Sequence, residues 1–353
     1  MKILALILLV AITAMAGCSN LGYYMQSIEG QLTLLQSRQQ IDGLIDDPAT
    51  PLELKTRLQL ALKIRDFASG ELSLPDNQSY RSYANLKRQF VVWNVFAAAE
   101  FSITPEQWCF PIAGCVGYRG YFTQAGAEQF ASGLRAQGLD VFVGGVPAYS
   151  TLGWFDDPVL NTFVNYSEYE IARLLFHELA HQVAYAGGDS EFNESFAVTV
   201  ETEGVRRWID RHGDDKMRAD SARAQVRRAQ FATLVLTYRD RLGELYDSSA
   251  PPAEMRARKA AVFSGLSREY QALRTEWGGF KGYDKFFDEP NNAKLASISI
   301  YNTLVPQFQK LLDKHNGDLP AFYADVRKLT ALDRDARYRE LGVDPPARKK
   351  SKG

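Results

Sequence analysis

The 353-residue chain is short of several things, and each shortage excludes a class of function. It has almost no net charge, with 41 Lys and Arg against 42 Asp and Glu. No bulk field therefore steers it toward nucleic acid, and no nucleic-acid partner is expected. It has three cysteines and no second cysteine pair, which argues against a thiolate zinc cluster. No fixed-period repeat is visible, so a solenoid is not indicated. Long apolar runs are missing apart from residues 3–14, which are too few to span a bilayer as a helix. Histidine is scarce, with four in the whole chain. Two of those four fall within five residues of each other, and the chemistry of the chain gathers there.

What is present fits a globular protein. Hydrophobic residues make up 46 % and charged residues 24 %, enough for a full core. Met1 and Lys2 precede the apolar run, which ends at Met15-Ala16-Gly17-Cys18. Small residues before a cysteine at that place resemble a bacterial lipobox, which implies a signal peptide over 1–18 and lipidation of Cys18. Ser19 follows instead of an Asp, which leans toward the outer membrane facing the periplasm rather than inner-membrane retention. An exported chain meets an oxidising compartment, so Cys109 and Cys115 are expected to pair and close a small loop around Pro111 and Gly114.

Apolar spacing predicts helices over residues 23–45, 52–67, 80–101 and 122–137. Residues 140–146 read as a strand, 148–155 as a second and 117–122 as a third. Helical spacing returns over 171–186, 190–211, 216–246, 253–277, 291–314 and 319–329, and the basic tail 345–353 reads as disordered. The expected fold class is mostly α with a small β-sheet (α+β), with one domain over 19–344.

His177-Glu178-Leu179-Ala180-His181 is an HExxH sequence. On a helix, positions i and i+4 share a face, so both imidazoles can reach one metal ion. Glu178 projects beside them, where it can act as general base toward a metal-activated water. Ile171, Leu174, Leu175, Leu179 and Val183 mark an apolar face, and neither Pro nor Gly interrupts 169–186. A chance HExxH in a chain of this composition is on the order of a few in a thousand. Gly187-Gly188 ends this helix, and Asp189 or Ser190 can cap the next. A glutamate in the first turns of that second helix can point back at the histidines.

The segment Asn193-Glu194-Ser195-Phe196-Ala197 makes the resemblance specific. It is similar to the Asn-Glu-x-Phe-Ala segment of the gluzincin aminopeptidases, whose third zinc ligand lies in it. The resemblance implies one Zn2+ per chain held by His177, His181 and Glu194, with Asn193 supporting Glu194. The gap from His181 to Glu194 holds only 12 residues, shorter than is usual there. Glu201, two turns further along the same face, is the rival ligand; the preferred reading has it accept a hydrogen bond from a liganding histidine. Glu203, His212 and His315 read as surface residues.

A wider resemblance runs through Gly117 to Phe122, Gly144-Gly145-Val146, Tyr149 to Phe155 and the two motif segments, and continues at Asn291 to Leu295 and Tyr301. It is to a group of bacterial proteins described as predicted aminopeptidases of the zincin type, and it implies a zincin-like core and a peptide substrate. Zincins commonly offer an edge strand to the substrate backbone, a role that falls on 148–155, with Tyr149, Ser150 and Thr151 as candidate substrate-binding residues. Gluzincin aminopeptidases also place a tyrosine at the oxyanion well after the third ligand. Tyr301 is the choice here, with Tyr118, Tyr238 and Tyr246 left open. The Gly-x-Met-Glu-Asn segment typical of that branch is absent, so exopeptidase and endopeptidase action both stay open. The competing reading is a non-catalytic envelope lipoprotein that uses a zincin-like fold to bind peptide or protein.

Overall fold

The computed structural model describes residues 22–110 and 114–345, and the side chains of 299–302 lie outside the described set. Cys18 and the tail from residue 346 onward also lie outside it. The chain opens with helix α1 (residues 22–36), β1 (Arg38–Gln40), α2 (Ile41–Asp46) and α3 (Leu52–Gly70). Strands then dominate: β2 (Ser82–Ala84), β3 (Val92–Ala98), β4 (Trp108–Phe110), β5 (Gly114–Val116) and β6 (Arg119–Tyr121). Helix α4 (Gln124–Ala136) separates these from β7 (Asp140–Val146) and β8 (Val159–Leu160). The remainder is helical: α5 (Glu168–Val183), α6 (Ser190–His212), α7 (Asp215–Tyr246), α8 (Pro252–Glu276) and α9 (Asp284–Phe287). Helices α10 (Asn292–Asn302), α11 (Val305–Lys314), α12 (Leu319–Thr330) and α13 (Arg334–Glu340) follow.

The chain is thus mostly helical with small sheets, as its composition and spacing predict. The sheets are β6-β3-β7, antiparallel throughout, β1-β2-β8 of mixed direction, and the β4-β5 hairpin. Cys109 and Cys115 stand opposite each other across that hairpin and are joined by a disulfide.

Four element assignments need correction. Residues 80–101 carry β2 and β3 rather than a helix, because β3 is buried on both faces and lacks polar alternation. Residues 148–155 form a loop rather than a strand; Leu152 and Gly153 adopt φ of 57° and 80°, which turns the chain. Residues 23–45 are broken by β1, which pairs with β2. Residues 291–314 are two helices, and the Leu304 amide between them donates to Ser195 Oγ at 3.1 Å.

Helices α5 and α6 form an antiparallel hairpin at the centre of the largest apolar cluster. Ser167 caps α5 by accepting from the Glu170 amide, and Glu168 and Glu170 favour its positive end. Asp189 caps α6 by accepting from the Phe192 amide. The same Asp189 side chain is buried against Arg337 and Tyr338 of α13, which pins the turn between the two helices. Asn193 clamps this turn from the inside: its Oδ1 accepts from the Ala186 amide at 2.7 Å and its Nδ2 donates to the Ala186 carbonyl at 2.9 Å. Phe176, Phe192, Phe196 and Trp208 are fully buried along the hairpin. Each contributes roughly 1.5–3 kcal/mol of burial free energy. Gly204 sets how close the helices come, since a Cβ there would lie 2.7 Å from the Phe176 ring and from Leu72.

Candidate metal centre

The hairpin brings the two motif segments together. His177 and His181 lie one turn apart on α5, and Glu194 faces them from the first turns of α6. His177 Nε2 is 3.2 Å from His181 Nε2 and 3.1 Å from Glu194 Oε2. His181 Nε2 is 3.7 Å from the same Glu194 oxygen. One donor atom from each residue lies within 4.8 Å of the others.

These spacings can be tested against zinc. Metal–ligand bonds of roughly 2.0–2.1 Å at tetrahedral angles put neighbouring donors about 3.4 Å apart. The three separations of 3.1, 3.2 and 3.7 Å bracket that edge length. Two imidazole nitrogens and a carboxylate are also a donor set zinc takes in catalytic sites, with a fourth position left for water. The residues present therefore fit a zinc ion.

The tautomer of His177 is fixed by its other nitrogen. Nδ1 lies 2.9 Å from Glu201 Oε2, and a carboxylate only accepts, so Nδ1 carries a proton and Nε2 is the nitrogen that faces Glu194 and His181. Glu201 is itself held at 2.8 Å by Arg228 Nη1 and at 3.2 Å by Arg173 Nη1, and is 1 % exposed. Burial pushes the Glu201 carboxyl up, but Arg173, His177 and Arg228 outweigh it and hold it down at about 2. Burial pulls the His177 imidazole down, yet its bonds to Glu194 and Glu201 carry it above the usual range. For His181 burial wins and holds it at about 4; its Nδ1 is buried without a partner among the described residues.

Glu178 follows His177 on α5. Burial pushes its carboxyl up to about 7; His177 opposes this, and Glu194, Asp157 and Glu201 add to it. One turn further on, Gln182 Oε1 accepts from Asn77 Nδ2 at 2.7 Å and its Nε2 donates to Ser79 Oγ at 3.2 Å. That pair of bonds docks the segment ending at Tyr80 beside Glu178. Tyr80 is buried with φ of 64°, and its hydroxyl has no partner among the described residues. Burial, Glu178 and Asp157 all raise the Tyr80 phenol, so it stays a neutral donor. Burial, Glu194, Tyr185 and Glu178 do the same for Tyr118. Tyr185 stands edge-on to His181 with ring centroids 6.5 Å apart.

The other sequence candidates are placed as follows. Asn193 serves the Ala186 clamp already described, one residue before Glu194. Tyr149 donates its hydroxyl to Gln31, Ser150 Oγ accepts from the Leu152 amide, and Thr151 bonds Asp157 and Phe155. The polar groups of 149–151 are thus engaged within their own loop and with α1. Tyr301 lies on α10, and its side chain is outside the described residues. Of the open tyrosines, Tyr238 donates to Glu269 and Tyr246 to Asn292. Glu203 is half-buried and ion-paired with Arg206 and Arg207, rather than simply solvated. Asp157 and Tyr80 have no spacing in the chain that marks them, since they meet the site only through folding, whereas Tyr185 follows His181 by four residues.

No curated protein and no solved structure matches this chain. One family model does, over residues 22–341, and that span takes in every described side chain of the site. The chain therefore belongs to the family described as Putative aminopeptidase, which carries a peptidase-like, hydrolytic function.

Proposed function

We propose that the protein is a zinc-dependent peptidase with a zincin-like core. The observation that carries this reading is the convergence of His177, His181 and Glu194 within 4.8 Å, beside a Glu178 carboxyl that accepts no hydrogen bond from the described residues. When bound, zinc supplies a Lewis acid and lowers the pKa of water toward neutrality. Glu178, next to His177 on α5, takes up a proton at its carboxylate and returns it to the leaving amine. Glu201 keeps the Nδ1 proton of His177 in place, so that Nε2 stays free to ligate. Tyr118, kept protonated by burial, is a donor for a developing oxyanion, a role it shares as candidate with Tyr301. The substrate class is a peptide. The same reading tethers the chain to the bacterial envelope through Cys18, at the outer membrane facing the periplasm.

The test is zinc content by elemental analysis together with a peptide-library cleavage screen, on the chain starting at Ser19. Glu178→Gln is expected to keep its zinc and lose turnover by roughly 10²–10⁴-fold. Glu194→Ala is expected to lose zinc. Full turnover in Glu178→Gln would refute the general-base role, and full zinc in Glu194→Ala would move the third ligand elsewhere. Zinc bound with no cleavage of any peptide by the parent chain would favour a binding protein.

A further inference from the structure

Helix α1 is apolar on two sides. Its inner side packs through Tyr23, Leu34 and Leu35. Gln26 accepts from the Phe122 amide at 3.0 Å, and Gly30 lets the helix ride on the Phe122 ring, which a Cβ there would approach to 2.1 Å. Its outer side carries Met25, Ile28 and Leu32, which are 60 %, 57 % and 50 % exposed. At about 100° per residue these three fall within roughly 60° of one another, and Tyr24 extends the stripe. Residues 22–36 include one charged residue, Glu29. An exposed contiguous apolar stripe of this kind marks an interaction surface.

The neighbouring loop enlarges the patch. Trp154 is 73 % exposed, and Phe155 beside it is also exposed. Arg38, just after α1, donates to the Asp156 carbonyl at 2.8 Å, and Tyr149 donates to Gln31 on α1. These bonds fix the aromatic tip against the helix.

We infer that the outer face of α1, with Trp154 and Phe155, docks on a lipid membrane. This rests on the reading of Cys18 as the lipid anchor. Three residues separate Cys18 from the start of α1, and that distance spans at most about 14 Å. An acyl chain in the bilayer at Cys18 therefore brings α1 to the membrane surface. The residue types suit that place: Tyr and Trp favour the interface, and Met, Ile and Leu enter the acyl boundary. No helix among the described residues is long and apolar enough to cross a membrane, so α1 lies on the surface and does not span it. The apolar face supplies a contact with the bilayer in addition to the lipid at Cys18. With one charge on the helix, this contact does not depend on anionic lipid or on low salt.

The experiment uses the chain starting at Ser19, which has no acyl group, and co-sedimentation with vesicles of phosphatidylcholine, or of phosphatidylethanolamine with phosphatidylglycerol. The expected result is reversible binding to both, unchanged by salt, with a blue shift in tryptophan emission. Met25→Ser/Ile28→Ser/Leu32→Ser is expected to bind at least tenfold more weakly. Trp154→Ser, on a separate element, is expected to weaken binding severalfold and to remove the blue shift. Unchanged thermal unfolding in both variants shows that the fold is intact. Vesicle binding equal in parent and triple variant overturns the inference. So does a dimer in analytical ultracentrifugation that the triple variant dissolves, because a second copy would then cover the stripe. The anchor is tested apart, by intact-mass measurement of the full chain produced in bacteria: a lipid adduct on Cys18, absent in Cys18→Ser, reports on lipidation alone and leaves the vesicle result independent.

Discussion

Replacing Glu201 by Gln separates the support of the proposed metal centre from its proposed ligands. The substitution keeps the shape of the side chain and removes a buried charge that contacts Arg173, Arg228 and His177. Glu201 is 1 % exposed, so water cannot take over from it. Two guanidinium groups then face each other with only Glu170 to balance them. Removing one partner of a buried ion pair costs about 3–5 kcal/mol. For a chain of this length that lowers the melting temperature of the metal-free protein by roughly 4–7 °C. A second effect is on the metal. Gln can present its amide NH2 to His177, which no longer fixes the proton on Nδ1, and losses of supporting contacts of this kind lower metal affinity by about 10–100-fold. Thermal unfolding in chelator measures the first effect, and competition with a fluorescent zinc chelator measures the second. Glu203→Gln is the control: its partners Arg206 and Arg207 reach solvent and it contacts neither histidine, so the expected change is within about 1 kcal/mol, with no change in zinc affinity. A Glu201→Gln protein with wild-type zinc affinity would show that the His177 ring needs no anchor, and the argument for its tautomer would fail.

Two further outcomes are expected. Asp157 is raised to about 6 by burial, against the opposing bonds from Thr151. A carboxyl raised on folding lends stability below its unfolded pKa and loses it as pH climbs through the folded value. Denaturant unfolding is therefore expected to show about 1.4 kcal/mol less stability at pH 7.5 than at pH 5 from this group, a difference that Asp157→Asn abolishes; an unchanged pH slope in the variant would contradict the burial argument. Gly204→Ala gains helix propensity but drives a Cβ to 2.7 Å from Phe176 and Leu72, so a net loss of about 1–2 kcal/mol is expected, and a stabilised variant would mean the α5–α6 contact is looser than described.

The central hairpin was legible because its signals are local. Motif spacing, apolar periodicity and capping residues all lie within 167–212, and α5 and α6 fall within a few residues of the expected bounds. The misreadings arose where tertiary context overrides local pattern. Val92–Ala98 is enclosed on both faces, so its apolar run imitates a buried helix. The break before α11 did have a signal, since Pro306 suits a first helical turn and not a helix interior. The loop at 148–155 alternates like a strand, yet Thr151 and Ser150 spend their hydrogen bonds on the loop's own turn. In the site, spacing put His177 and His181 on one face and the resemblance of residues 193–197 singled out Glu194, and the structure gathers these three. The surroundings of Glu178 could not, because Tyr80, Tyr118 and Asp157 come from distant elements and meet it only through burial.

The clamp between Asn193 and Ala186 also gives a way to watch the hairpin breathe. The Ala186 amide lies beyond the end of α5, where a backbone proton would ordinarily exchange with solvent freely. Here it is held by a buried side chain on the facing helix. Its exchange in heavy water therefore requires the two helices to part, or the whole chain to unfold. Comparing that rate with those of amides inside α5 distinguishes a local opening, which would let a metal ion enter or leave, from global unfolding. A slow Ala186 amide in metal-free protein would mean the cradle is built before its ion arrives; a fast one would mean the ion completes the folding of the turn.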